Sequence, residues 1–421
     1  MDSATQICMS KAFCRAAFEN LHISIGGQAK PCCEFEGSIG STRKNSIEEI
    51  WSSHEINDLR AKMLRGERDG GCRKCYNVEE AGGVSLREMF NGDELVADVP
   101  DAQSITPPSP KYLDIRFSNL CNLSCRTCGP DASTRWHADA KRLNFWDIGP
   151  SALVKTFGPK LPAIDALGRV LETVETIYFA GGEPLLHEEH YAVLLHLIAC
   201  GRTDVCLCYN SNLTELRLGK FEILPLWAKF KNVSMHASID GHKERGELIR
   251  AGLSWDRFAA NAAAIKRECP HVDLRFAITV SIFNILSLPD LCQALMEIGV
   301  AGAKFSFNVL QEPEHFSIQI LPDDMKHVAK SKIEAFADAF GLRADLGPVV
   351  NFMMFKDRSE KLGSFRRNAY VLDRLRNENT IDTIPELAPI LREMPLQRHV
   401  RESVASLAGF VRSLRFRSQA R

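Results

Sequence analysis

Up to about residue 95, the apolar and polar positions of the chain describe short elements interrupted by glycine. Leu21-His-Ile-Ser-Ile25 alternates like a half-buried strand and runs into Gly26-Gly27, which predicts a hairpin returning toward Pro31-Cys32-Cys33. Ser46-Ile-Glu-Glu-Ile-Trp51 predicts a helix opened by a serine cap with a glutamate three residues on, continuing to about Gly66. From Lys111 the pattern changes to strand-like apolar runs at 112–118, 176–180, 205–210, 233–239, 274–282 and 304–310. Amphipathic stretches separate them, with 258–269 and 288–298 reading as crossover helices. Six such units predict a parallel α/β sheet wound with right-handed crossovers, too few strands to close an eight-stranded barrel. Beyond about residue 325 the chain reads as helical, ending in 400–416, where apolar residues recur at helical spacing beside Arg401, Arg412, Arg415 and Arg417. The predicted domains are 1–95, a linker at 96–110 carrying Pro100, Pro107, Pro108 and Pro110, a sheet domain at 111–325, and a helical region at 326–421.

The strands share a second pattern. With regular pleating, Asp114, Arg116 and Ser118 fall on one face of the first strand, and Ser234, His236, Ser238 and Asp240 on one face of the fourth. Arg275, Thr279 and Ser281 do so in the fifth, and Lys304, Ser306 and Asn308 in the sixth. A packed barrel interior carries branched apolar residues at such positions. A polar lumen predicts an incomplete barrel holding a large polar ligand.

Composition narrows the partners. With 421 residues, 45% hydrophobic, the chain can bury one large core and a smaller one. Its 52 basic and 53 acidic residues give a net charge of -1, which supplies no long-range field for nucleic acid or a membrane surface. No basic stretch leads into an apolar one at Met1-Asp-Ser-Ala-Thr, and no run of uncharged apolar residues is long enough to span a bilayer, so a cytoplasmic protein is expected. Fourteen cysteines in a reducing compartment then point to metal ligation or buried thiols.

Three of these thiols are concentrated in Cys121-Asn-Leu-Ser-Cys125-Arg-Thr-Cys128, immediately after the first strand of the sheet domain. A structural zinc site usually takes four ligands in two separated pairs, whereas three close cysteines suit an iron–sulfur cluster with one iron left open. A zinc knuckle with a distant fourth ligand is the competing reading. After the second strand comes Ala180-Gly181-Gly182-Glu183-Pro184, where glycine lets backbone approach a ligand and a carboxylate can accept from an ammonium. The third strand ends in Tyr209-Asn-Ser-Asn212, and the fourth in Ser238-Ile-Asp-Gly241, followed by Glu247-Leu-Ile-Arg250. In βα architectures these strand ends are where functional loops leave. His236 faces the lumen by parity, but a hydrogen-bonded core histidine is the simpler reading. In the first domain Cys14, Cys32, Cys72 and Cys75 supply four further ligands, with Cys33 adjacent and Cys8 spare. Alone, Cys72 and Cys75 would equally suit a zinc half-site or a redox pair.

These motifs resemble the radical S-adenosylmethionine (SAM) superfamily. The resemblance implies a partial (β/α)6 TIM-type barrel in which Cys121, Cys125 and Cys128 hold a 4Fe-4S cluster whose open iron binds SAM. It implies SAM contacts from Gly181, Gly182, Glu183 and Pro184 at the amino group, and from Asn212, Ser238 and Arg250 at the polar groups and carboxylate. Many members place an aromatic residue before the third cysteine, where this chain has Thr127. The spacing of Cys14, Gly27, Cys32, Cys72 and Cys75 looks like the first half of the SPASM module. Here it precedes the barrel and lacks the later cysteine-rich half, so it resembles the shorter twitch type, with Cys14, Cys32, Cys72 and Cys75 on one auxiliary 4Fe-4S cluster. The activity implied is reductive cleavage of SAM to a 5'-deoxyadenosyl radical and hydrogen abstraction from an unreactive carbon. A flavodoxin or ferredoxin would donate the electron. The substrate class is a peptide to be crosslinked, epimerised or oxidised, or alternatively a small molecule such as a sugar or aminocyclitol. From another class, a non-catalytic iron–sulfur or zinc-binding protein would account for the cysteines alone.

Overall fold

A computed structural model describes residues 10–80, 83–92, 107–143, 151–158, 162–298 and 304–392. Cys8, most of the proline-rich linker and the arginine-bearing segment 400–416 lie outside the described residues.

The N-terminal unit begins with the expected hairpin. Strands β1 (Asn20–Ile23) and β2 (Gln28–Lys30) pair antiparallel, and β3 (Gly40–Ser41) adds to β2. The turn between β1 and β2 requires glycine: Gly27 has φ +87°, and a Cβ there would lie 2.7 Å from the Thr156 carbonyl. The single helix expected after Ser46 is two. Ser46 and Glu49 form the full capping box of α1 (Ile47–Trp51), but Ser53 then accepts from the Ile56 amide and starts α2 (His54–Leu64). A second cap-forming residue one turn into the segment offers the backbone a new start, and the chain takes it. α3 (Arg73–Glu80) follows.

The main sheet contains β4 (Tyr112–Ile115), β5 (Thr176–Phe179), β6 (Cys206–Ser211), β7 (Val233–Ser238), β8 (Asp273–Val280) and β9 (Lys304–Val309). These six are parallel and lie in sequence order, forming an open sheet from β4 to β9 among the described residues. Unexpectedly, the N-terminal unit does not stand apart: β1 pairs parallel with β4 and extends the same sheet to nine strands. His22 and Asp114 are register partners there, and Nδ1 of His22 lies 2.7 Å from Oδ2 of Asp114, both groups buried. The outer face is apolar. Leu207, Tyr209, Met235 and Phe276 are buried on it, beneath α4 (Glu188–Ala199), α5 (Trp255–Glu268) and α6 (Leu288–Glu297).

The inner face follows the predicted parity through most of the sheet. Asp114, Tyr178, Cys208 and Ser234 stand side by side across four strands, and Asn210 beside His236. All of these except Asp114 are part-exposed while their neighbours along each strand are buried. Parity fails at the strand ends. β4 stops at Ile115, so Ser118 leaves the lumen and its Oγ lies 3.0 Å from Nε2 of buried His187. Asp240 and Ser281 likewise lie past the ends of β7 and β8 and are buried. The helical C-terminal region comprises α7 (Asp323–Phe340), α8 (Arg343–Phe355) and α9 (Leu362–Arg376), the last stopped by Asn377 in the left-handed conformation.

Candidate functional site

The cysteine loop leaves the C-terminal end of β4 and is held from three sides. Ser124–Cys125 pairs antiparallel with Arg250–Ala251, so Cys125 and Arg250 are register partners. Trp136 Nε1 donates to the Cys125 carbonyl at 2.8 Å, and Ser133 Oγ to that of Leu123 at 2.5 Å. From the end of β6, Asn212 Nδ2 donates to Asn122 Oδ1 at 2.9 Å and approaches Cys121 Sγ at 3.9 Å.

The three thiols differ in acidity. Burial pushes Cys121 up to about 12. Cys125 is drawn below the ordinary thiol value because Cys128 donates a hydrogen bond to it and the Arg250 guanidinium lies close, while Cys128 holds its proton. Arg250 itself is part-exposed and paired with Asp240 at 2.8 Å, and Asp240 also accepts from the Thr279 amide at 2.8 Å. One fixed cation thus faces the thiols from the β7 loop, anchored to the end of β8.

Gly181-Gly182-Glu183-Pro184 packs against the same loop. Gly182 has φ +55°, and a Cβ there would stand 2.3 Å from the Leu120 carbonyl, so only glycine fits without displacing the cysteine loop. Glu183 donates its amide to that carbonyl at 2.7 Å. Its carboxylate turns inward: Ser211 Oγ donates at 2.7 Å, the Asn212 amide at 2.7 Å and the Leu185 amide at 3.2 Å. Burial raises Glu183 to about 7 against these three donors. The side chain therefore fastens the second loop to the end of β6 and positions Asn212. Ser238 ends β7 on the lumen side and is part-exposed, and Pro184 is buried at the start of the turn that follows.

Sequence reasoning missed Arg126, between the second and third cysteines. It is fully buried and reaches Asp373 Oδ1 at 2.6 Å, Glu378 Oε2 at 2.5 Å, Thr380 Oγ1 at 3.1 Å and the Leu248 carbonyl at 3.2 Å. The cysteine loop is thereby bolted to the end of α9. Arginine inside a metal-binding loop reads as solvated until its acidic partners are located, and these lie about 250 residues away in sequence.

In the N-terminal unit, Cys14, Cys32, Cys72 and Cys75 lie within electrostatic reach of one another: Cys14 of Cys75, Cys32 of Cys14 and Cys72, and Cys72 of Cys14 and Cys75. Cys33 lies within electrostatic reach of Cys32 and also of Asp114 and Arg116 at the lumen. Burial drives Cys14 and Cys72 up to about 12, so the group is a set of enclosed thiols that a cation would have to discharge. Among the described residues, no three His, Cys, Asp or Glu side chains are gathered closely enough to hold a single metal ion.

Residues 14–76 match the SPASM family model, described as an iron-sulfur cluster-binding domain. The N-terminal unit resembles a SPASM domain. The match spans the cysteines Cys14, Cys32, Cys72 and Cys75, and so supports iron–sulfur binding by this unit. No curated protein matches the chain in sequence. Among solved structures, anSMEcpe with bound AdoMet is similar at 17% identity and TM-score 0.39, covering 56% of this chain and 62% of that one. Streptococcus suis SuiB bound to S-adenosylmethionine is similar at 15% identity and TM-score 0.35, covering 68% and 62%. SuiB bound to precursor peptide SuiA is similar at 15% identity and TM-score 0.32, covering 79% and 68%. The chain spans about 62% of the length of the first of these. No described helix is long and apolar enough to cross a membrane.

Proposed function

We propose that the chain is a radical SAM enzyme that abstracts hydrogen from a peptide substrate, with a second iron–sulfur centre in the N-terminal unit assisting electron transfer. The observation that carries this reading is the convergence on Cys121, Cys125 and Cys128 of Asn212 from β6, Arg250 from the β7 loop and the Gly181-Gly182 backbone from the β5 loop, above a polar lumen. An electron carrier has no use for that polar constellation.

When bound, a 4Fe-4S cluster on the three thiols supplies the electron that cleaves SAM to a 5'-deoxyadenosyl radical. The remaining work belongs to the protein. Arg250 offers a part-exposed positive charge suited to the SAM carboxylate while holding Asp240. Gly182 keeps the second loop against the cysteine loop, and Glu183 fixes the Asn212 backbone so that its amide side chain faces Cys121. Ser238 and His236 present polar groups from β7 to the ligand space. Cys14, Cys32, Cys72 and Cys75 would hold the auxiliary cluster with all four irons ligated by cysteine or sulfide, which suits electron transfer over substrate binding.

The test is anaerobic iron and sulfide quantification with a dithionite-driven assay for 5'-deoxyadenosine. The wild type should carry about eight irons and a Cys121/Cys125/Cys128→Ala variant about four, with nucleoside formation lost, at four irons per 4Fe-4S centre. Zinc in place of iron, or no nucleoside from fully loaded protein, would remove the enzyme reading. Cys72→Ala combined with Cys75→Ala should keep SAM cleavage, and with an identified peptide should lose product.

A further inference from the structure

Cys206 and Cys208 lie in β6 on the wall of the lumen, and the reading above uses neither. Two residues apart on one strand, they project from the same face, and their sulfurs stand 3.9 Å apart, within reach of a thiol–thiol hydrogen bond. Both are part-exposed, whereas Leu207 between them and Tyr209 beside them are fully buried. The pair therefore opens to the lumen and is not part of the core. Cys206 lies beside Thr176, and Cys208 beside Tyr178 and Ser234. Tyr112 and Tyr178 are close enough to sense a charge on Cys208. Cys292, by contrast, is an enclosed structural thiol that burial pushes up to about 12.

The two lumen thiols are chemically unequal. The hydrogen bond between the two sulfurs draws Cys206 below the ordinary thiol value against the opposing effect of burial, and raises Cys208. Cys206 thus gives up its proton more readily than Cys208, the division that an attacking and a resolving cysteine need.

We propose that Cys206 and Cys208 form a thiol–disulfide exchange site in the lumen wall, with a low-molecular-weight disulfide as its ligand. The Cys206 thiolate attacks one sulfur of the ligand. The ligand S–S bond breaks, a mixed disulfide forms on Cys206, and the first thiolate leaves and takes up a proton. Cys208 then gives up its proton and attacks the Cys206 sulfur, displacing the second thiolate. The dithiol loses two electrons and the ligand disulfide gains them. A dithiol reductant runs the sequence in reverse. The strand rise separates the two Cα atoms by about 6.7 Å, at the upper end of what a disulfide spans.

The probe is glutathione disulfide, applied anaerobically to the iron-loaded protein and followed by iodoacetamide, trypsin and mass spectrometry. Trypsin releases 203–217, which holds both cysteines and no other. In the wild type this peptide should become two hydrogens lighter and resist alkylation. Cys208→Ser should stop at a glutathione adduct on Cys206, and Cys206→Ser should react at least about tenfold more slowly. A wild-type peptide recovered doubly alkylated, or a Cys206→Ser variant reacting as fast as Cys208→Ser, overturns the proposal. Iron content in each variant, expected to equal that of the wild type, checks folding. Formation of 5'-deoxyadenosine on the same samples reports separately on the enzyme reading, so either can fail alone.

Discussion

Arg126→Ala offers the sharpest test of how the cysteine loop is held. The guanidinium is fully buried and its hydrogen bonds join the loop to Asp373, Glu378, Thr380 and the Leu248 carbonyl. Removing it leaves two carboxylates facing each other without their shared cation. Breaking a buried ion pair from one side costs about 3–5 kcal/mol. The low end applies here, because the side chains of Asp373 and Glu378 keep 19% and 23% of their exposure and can turn toward water. A loss of about 3 kcal/mol in urea denaturation is expected, with faster release of iron to a chelator from the Cys121/Cys125/Cys128 set. Arg126→Lys keeps the charge but not the planar fork, and should recover only part of both. If Arg126→Ala unfolds within about 0.5 kcal/mol of the wild type, as a surface substitution would, and retains iron equally well, the bolt between the loop and α9 is refuted.

Three further outcomes are expected. Burial lowers His187 to about 4, His190 to about 3 and His315 to about 4, so the unfolded chain takes up their protons first and stability is lost as pH falls below about 6.5. Each costs about 2 kcal/mol at pH 5, while Glu183, raised to about 7, works in the opposite direction over the same window; the unfolding free energy from urea denaturation should be lower at pH 5 than at pH 7.5 by roughly 3 kcal/mol net. Gly182→Ala places a Cβ 2.3 Å from the Leu120 carbonyl at φ +55° and should cost about 1–3 kcal/mol together with the SAM-cleavage activity; wild-type activity in that variant would show that the two loops need not touch. Cys32→Ala should lose the iron of the N-terminal unit while Cys33→Ala keeps it, read by iron content, and the reverse result would exchange the two assignments.

The sheet domain was legible because its two faces obey different rules. Buried positions in β6 and β7 alternate with polar ones, and that alternation survives in the structure from Cys206 to Ser238. Ser46 and Glu49 likewise announced a capping box that forms as written. What failed was local information about where elements stop. Nothing in 112–118 marks the end of β4 at Ile115, because the residues that release the chain there are His187 and Thr156 from later loops, Thr156 Oγ1 donating to the Arg116 carbonyl. The spacing after Gly27 selected Cys32 over Cys33, and what lies around Cys33, Asp114 and Arg116 among it, comes from distant parts of the chain.

The joining of β1 to β4 changes how the two thiol sets are related. Had the N-terminal unit been tethered only by a linker, its cysteines could sit at any distance from the lumen. Instead, β1 continues the sheet, so Cys14, just before β1, and Cys32, just after β2, are fixed to the scaffold that carries Cys121 just beyond β4. His22 and Asp114 secure this seam. Burial and its partners leave His22 below its ordinary value and Asp114, despite its own burial, below its own, so a neutral imidazole donates to a carboxylate at neutral pH. The covered edge of the lumen therefore lies at β4, while the outer edge of β9 has no described strand beyond it. One pair of parallel strands thus ties the N-terminal thiols to the scaffold of the cysteine loop, although they stand well apart from it in sequence.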